Sequence, residues 1–261
     1  MFGHSKQTTF WSQVILTILA IIFISPLIIA IKISLQGEGI GNYLAVLKNP
    51  MLPHLFTNSV IVSFFTIILV YLVTILSAYA FSKLPIKHKE WYFNAILIGL
   101  MIPAISLVVP LFSIIKSLGW FNNYLALIGP YAAFGIPFTL LLMRNFLDEV
   151  PDTLIEAAKI DGGNSFQVLM HIIMPLAKPI SIVVVIWTFL SSWNEYFMAL
   201  VFMRNEAMYM ITQAPQFYMG TYTSDTGKIF ASLVLISLPV VIAYLFLQKY
   251  FENGMTSGSI K

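Results

Sequence analysis

Long apolar runs separated by short polar turns set the pattern of this chain. Six recur, at residues 14–31, 60–81, 92–115, 124–143, 180–203 and 229–248. Five carry no Asp, Glu, Lys or Arg, and the run at 180–203 is interrupted only by Glu195. A bilayer-spanning helix needs about 20 apolar residues, with a lower limit near 17. The spans of a membrane β-barrel would alternate in dyads, and these runs do not, so helices must satisfy the backbone. The pattern therefore predicts an all-α integral membrane protein with six transmembrane helices.

Composition strengthens this reading. Hydrophobic residues make up 59% of the 261 and charged residues 10%, against roughly 45–50% and about 25% in a soluble domain. The first run lacks the small-residue cleavage site that follows a signal core, and it is expected to stay as a helix. There is no cysteine, which excludes disulfides, thiolate chemistry and cysteine metal sites. The four histidines, His4, His54, His88 and His171, are scattered without metal-ligand spacing, so no metal site is expected.

The basic residues set an orientation. Lys6, Lys83, Lys87, Lys89, Arg144, Lys159, Lys178, Lys249 and Lys261 fall on one side. Lys32, Lys48, Lys116, Arg204 and Lys228 fall on the other. The first side, with its cluster in "KLPIKHKEW", is expected to be cytoplasmic together with both termini. The formal net charge of +3 then reflects anchoring to anionic headgroups. Nothing points to nucleic acid.

In this topology the longest connection, residues 144–179, is cytoplasmic. Pro151 suits the first turn of a helix, with Asp148, Glu149 and Asp152 placed to favour its dipole. Leu154, Ile155, Ala157, Ala158 and Ile160 give that helix an apolar side. Gly162 and Gly163 can end it in a left-handed turn. Asn164 or Ser165 can cap a second helix, "FQVLMHIIM", which Pro175 would terminate. Such a hairpin could lie on the membrane surface or dock into a groove of a soluble partner.

The stretch "EAAKIDGGNSFQVLMHIIMP" resembles the EAA loop of membrane subunits of binding-protein-dependent ABC importers. That pattern is Glu-Ala-Ala, three residues, Gly, nine residues, then Ile-x-Leu-Pro. Its positions here are Glu156, Ala157, Ala158, Gly162, Ile172 and Pro175, with Met174 in place of the usual Leu, a volume-conserving exchange. Flanking segments, including "SSWNEYFMALVF" and the tail "QKYFENGMTSGSIK", are similar to the carbohydrate-uptake branch, in particular to the smaller membrane subunit of maltose-type transporters. The likeness covers the chain from about Asn58 onward.

The resemblance implies a type I ABC importer (MetI-like) transmembrane fold. It divides the chain into residues 1–57, an N-terminal helix and external loop; 58–250, the transmembrane core with its coupling loop at 144–179; and 251–261, a cytoplasmic tail lying between ATPase subunits. The implied partners are a second homologous permease subunit, a cytoplasmic ATPase dimer, an extracellular or periplasmic sugar-binding protein and the bilayer of a bacterial or archaeal cell. Glu156 is expected to pair with a basic residue of the ATPase, while Ala157 and Ala158 allow close packing. The chain has no GxxxxGK[S/T] loop, so ATP and Mg are expected on the ATPase, with no cofactor and no catalytic residue here. The external loop "RNEAMYMITQAPQFYMGTYTSDTGK" could be an interfacial aromatic belt; in the family it reaches toward the binding protein.

Glu195 is the single acidic residue within a run, and an intramembrane charge points to function. Trp193, Asn194 and Tyr196 beside it could stack on and hydrogen-bond a sugar. Alternatively, Asn194 and Glu195 bridge helices. Pro103, Pro110, Pro130, Pro137 and Pro239 lie within runs and are expected to kink helices around a path. The readings that compete with a sugar importer subunit are an ABC permease for another solute, a stand-alone secondary transporter and a membrane enzyme. A secondary transporter would show inverted repeats and several intramembrane charges. An enzyme would show a nucleophile, base and orienter. The sequence displays neither.

Overall fold

The computed structural model describes the backbone of residues 6–256 and side chains from 10 to 246. In order, the helices are α1 (Lys6–Ser34), α2 (Ile40–Leu47), α3 (Leu52–Lys83), α4 (Lys89–Leu97), α5 (Val108–Ser117), α6 (Leu125–Asp148), α7 (Asp152–Ile160), α8 (Ser165–Val168), α9 (Met174–Leu176), α10 (Lys178–Asn194), α11 (Phe197–Phe202) and α12 (Thr226–Thr256). Among the described residues the only β pairing is an isolated bridge between Met219 and Ser224.

Four helices are long and apolar enough to cross a membrane, and two bent pairs bring the number to six if each is one span. The bent pairs are Lys89–Met101 with Ala104–Ser117, at 89°, and Ser165–Leu176 with Lys178–Asn194, at 78°. The runs at 92–115 and 180–203 are thus not single helices. Ile102 is extended (φ −93°, ψ 116°), as the residue before a proline prefers, and Pro103 supplies no N–H to bridge the gap. The run at 180–203 breaks at Glu195, which is also extended (φ −70°, ψ 124°). Of the five prolines expected to kink helices, Pro103 alone lies at a break; Pro110, Pro130, Pro137 and Pro239 lie within continuous helices.

The chain divides into two compact units, which differ from the expected boundary at residue 57. One runs to Leu52 and resumes over Ala214–Ser237; the other is Pro53–Gln213 and resumes at Leu238. In the first, Asn42 sends its amide to the carbonyls of Ser34 and Gln36 at 2.9 and 2.7 Å. A Cβ on Gly227 would stand 2.4 Å from that amide nitrogen, so only glycine fits. Lys228 bridges Asp225 and Glu38 at 2.9 and 3.3 Å, and its hydrogen bond holds the Asp225 carboxyl below the usual carboxylate range. The helix expected to end before a tail at 251–261 continues through Thr256; residues 257–261 lie outside the described residues.

In the second unit two apolar clusters occupy opposite ends of the bundle. One joins Val70, Leu140, Met143, Leu147, Ile155 and Ile173, and the other Val62, Leu127, Met198, Phe202 and Met210. Within the first cluster Thr74 and Thr139 share a buried hydroxyl hydrogen bond of 2.8 Å, a polar contact of the kind that joins membrane helices.

The segment after α11, expected as a surface loop, is pinned to the bundle by side chains. Asn122, at φ +57°, accepts from the N–H groups of Arg204 and Asn205 at 2.6 and 3.0 Å. Asn58 donates to the carbonyls of Ala207 and Tyr209, both at 2.9 Å, and accepts from the Tyr124 hydroxyl at 2.7 Å. Ser59 accepts from the Ile211 N–H at 2.8 Å. Asn58→Ala strands two carbonyls and a hydroxyl, at a cost of about 1–3 kcal/mol. A lower melting temperature in detergent and faster proteolysis within residues 204–213 are the expected readouts.

Candidate functional site

The insert is the first site. Arg144 still belongs to α6, so the connection starts after Asp148 rather than at 144. Pro151 is the N-cap of α7 (φ −60°, ψ 130°), one residue before its expected position. At the other end the Gly163 N–H bonds the Ala158 carbonyl and the Gly162 N–H the Lys159 carbonyl, at 2.9 and 3.0 Å. These crossed bonds are a Schellman ending. Gly162 alone is left-handed, at φ +86°. Gly163 is needed for space, since a Cβ there would lie 2.8 Å from the Ala158 carbonyl oxygen.

Asn164 then caps α8 through a reciprocal capping box with Gln167. A π-helical stretch, Leu169–Ile173, leads into α9. Pro175 does not terminate this helix. It sits in the first turn of α9, and the widened turn before it accommodates the ring. The chain bends only at Ala177.

The apolar residues of α7 do not all face one way. Ile155 is buried and Ala158 packs beside it, while Leu154 and Ile160 are exposed, Ile160 to 86%. Glu156 and Ala157 are exposed as well. Glu156 makes no ion pair among the described residues. Phe166 is 67% exposed. Ile172 is partly buried and Pro175 exposed. Ala158, Gly162, Gly163, His171 and Ile172 border an open cleft of about 280 Å³.

One end of this helix is tied to the bundle. Lys83, the last residue of α3, is 4% exposed in its side chain and donates to the Val150 carbonyl and the Asp152 carboxylate at 2.6 and 2.7 Å. That hydrogen bond holds the Asp152 carboxyl below the usual carboxylate range. Ser82 donates to Asp148, and Arg144 pairs with Glu90 and Asp148 while lying 4.1 Å over the Phe93 ring. Sequence reasoning missed this tether because Lys83 and Asp152 are 69 residues apart.

The second site is a cavity of about 390 Å³ bordered by Thr66, Tyr131, Phe138, Trp187, Ser191 and Glu195, among others. The Glu195 carboxylate accepts from the Tyr131 hydroxyl at 2.7 Å and from the N–H groups of Met198 and Ala199 at 2.8 and 3.2 Å. It therefore caps α11, where a negative charge is favoured, and links α6 to that short helix. Of the four residues expected on a path, Glu195 alone borders this cavity. Trp193 is 2% exposed and packs edge-on to Phe56 and beside Phe189. Asn194 donates back to the Leu190 carbonyl at 2.9 Å, and Tyr196 is exposed. A signal was available: Trp187 and Ser191 are four residues apart in α10, which places them on one helix face, and Glu195 follows at the end of that helix.

Residues 86–257 match the family described as binding-protein-dependent transport system inner membrane component. The probable ABC transporter permease protein YurM of Bacillus subtilis (strain 168) is 37% identical over 230 residues, covering 88% of this chain and 72% of that protein. The trehalose/maltose transport system permease protein MalG of Thermococcus litoralis is 33% identical over 224 residues, covering 84% and 80%. A solved bacterial ABC transporter involved in the import of the acidic polysaccharide alginate superposes with a TM-score of 0.81 at 23% identity, over 96% of this chain and 100% of that one. That likeness concerns the fold.

Two outcomes follow for the insert. Gly163→Ala forces the Schellman turn apart, whereas Gly162→Ala meets no atom within 4 Å and carries only the left-handed strain of roughly 1–2 kcal/mol. Amide hydrogen exchange at residues 158–164 should therefore rise more in Gly163→Ala. Because the Asp152 pKa is depressed, its tether contributes fully above the unfolded carboxylate value of about 3.9 and is lost as pH falls through the folded value. Protection of α7 should decline on acidification below about pH 4, and Asp152→Asn should remove that step.

Proposed function

The chain belongs to the family of binding-protein-dependent transport system inner membrane components, and on that premise we propose that it is one of two membrane subunits through which an ATP-driven importer passes a carbohydrate. The carbohydrate assignment draws on the trehalose/maltose permease among its relatives. A second homologous subunit completes the path. A cytoplasmic ATPase dimer holds ATP and Mg, and an external sugar-binding protein delivers the cargo to this multi-pass protein in the membrane of a bacterial or archaeal cell. Both termini and the insert lie in the cytoplasm, on the side where nine of the 14 Lys and Arg residues fall.

The observation that carries this reading is the state of α7. Its inward face is held by Ile155 and its first turn by Lys83, while Glu156 and Ile160 stand exposed. A helix fixed on one side and bare on the other suits insertion into a groove of a soluble partner. Glu156 would meet a cation there, and Ala157 would let the two backbones approach. The Gly162–Gly163 turn keeps the end of the helix free of side chains, and Ile172 and Pro175 carry the chain from it back toward α10.

The segment up to Asp225 offers Tyr222, 97% exposed, at a turn closed by the Met219–Ser224 bridge. It suits contact with the binding protein. The cavity beside Glu195 belongs to the path.

The test uses Glu156→Lys and Gly162→Asp in the assembled complex. Both variants should reach the membrane in normal amounts yet retain less ATPase on purification and transport poorly. Normal assembly together with normal uptake in both would remove the coupling role.

A further inference from the structure

The cavity has a chemistry that family membership does not specify. The Phe138 and Trp187 rings lie 4.6 Å apart, tilted by 41°, and Trp187 is 41% exposed. The aromatic wall is thus only partly covered by the protein itself. Hydroxyls border the same space. Thr66 is 1% exposed, and its Oγ1 has no hydrogen-bond partner among the described residues. Ser191 borders the same cavity and is exposed. A buried hydroxyl without a partner is uncommon in a folded protein.

The charges are equally particular. Among the described residues no lysine or arginine borders the cavity, and its one carboxylate is that of Glu195. The Glu195 carboxylate already accepts from Tyr131 and the two backbone donors, which takes up most of its acceptor capacity. An anion entering here would find no counter-ion and a carboxylate already in place. Desolvating a charge without a partner opposes that strongly. The volume, about 390 Å³, lies within the roughly 300–1,000 Å³ of small-molecule sites.

We propose that this cavity is a subsite for one uncharged pyranose ring, stacked on Trp187 and Phe138 and hydrogen-bonded by Thr66 and Ser191, and that it excludes acidic sugars. The assignment rests on the carbohydrate reading above. A pyranose presents an apolar ring face to the aromatic pair and hydroxyls to the two side chains. The chain is thereby set apart in cargo from the alginate transporter whose fold it shares.

The experiment isolates Trp187 emission by subtracting the spectrum of a Trp187→Phe complex, using the complex purified through this chain and reconstituted in bilayers. Maltose and trehalose are titrated against digalacturonate, with no binding protein present to select among them. The neutral sugars should change the emission saturably, and digalacturonate should not. Thr66→Val should weaken the neutral response about threefold to tenfold, as loss of one neutral hydrogen bond predicts. A response to digalacturonate equal to that of maltose overturns the proposal, as does quenching by brominated phosphatidylcholine that neither neutral sugar relieves, which would place an acyl chain in the cavity.

Uptake by the wild-type complex with its binding protein separates the two levels of inference. Uptake of maltose or trehalose without any Trp187 response removes the subsite and leaves the carbohydrate reading standing. Uptake of neither sugar, again without a Trp187 response, removes both.

Discussion

In hydrocarbon no water is available to satisfy a backbone group that leaves a helix, so each break must find its partners within the protein. The second unit answers this demand repeatedly with side chains. Where α10 ends, the Glu195 carboxylate takes up the N–H groups that begin α11. Where α11 ends, Asn122 takes up those of Arg204 and Asn205, and Asn58 serves the carbonyls of Ala207 and Tyr209. Glu195, the one acidic residue within an apolar run, thus stabilises a departure from regular structure. The break in α10 in turn gives Glu195 its place beside the cavity.

Local signals in the sequence were legible, and distant ones were not. The six apolar runs, the Gly162 turn and the Asn164 cap depend on residues within a few positions of one another, and their placement follows from spacing alone. Among the prolines, Pro103 breaks its span while Pro130 and Pro137 do not. Proline content could not separate them, because all three lie within apolar runs of the same character. Glu195 was conspicuous by its charge, but its partner Tyr131 is 64 residues away. Trp193 was expected on the path with it and instead fills the core. Two residues along a helix turn the side chain by roughly 200° from the face of Ser191, which buries it between Phe56 and Phe189.

The insert shows the same division. Its helix, turn and second cap were readable, but the direction of its apolar residues was not. Leu154 and Ile160 were expected with Ile155 on one side, yet they face outward. The π-helical stretch before Pro175 also lay beyond simple periodicity. A proline there suggests a stop, and one widened turn is enough to let the helix continue.

The attachment of α7 has a mechanical consequence. The first turn of the helix is held by Lys83, the last residue of α3, and its inward face by Ile155 and Ala158. Helix α3 is 32 residues long, and Asn58 and Ser59, which grip the 207–211 segment, lie near its other end. At about 1.5 Å per residue, a rod of nearly 40 Å joins the two grips. The start of α7 and the 207–211 segment are therefore attached to one continuous helix.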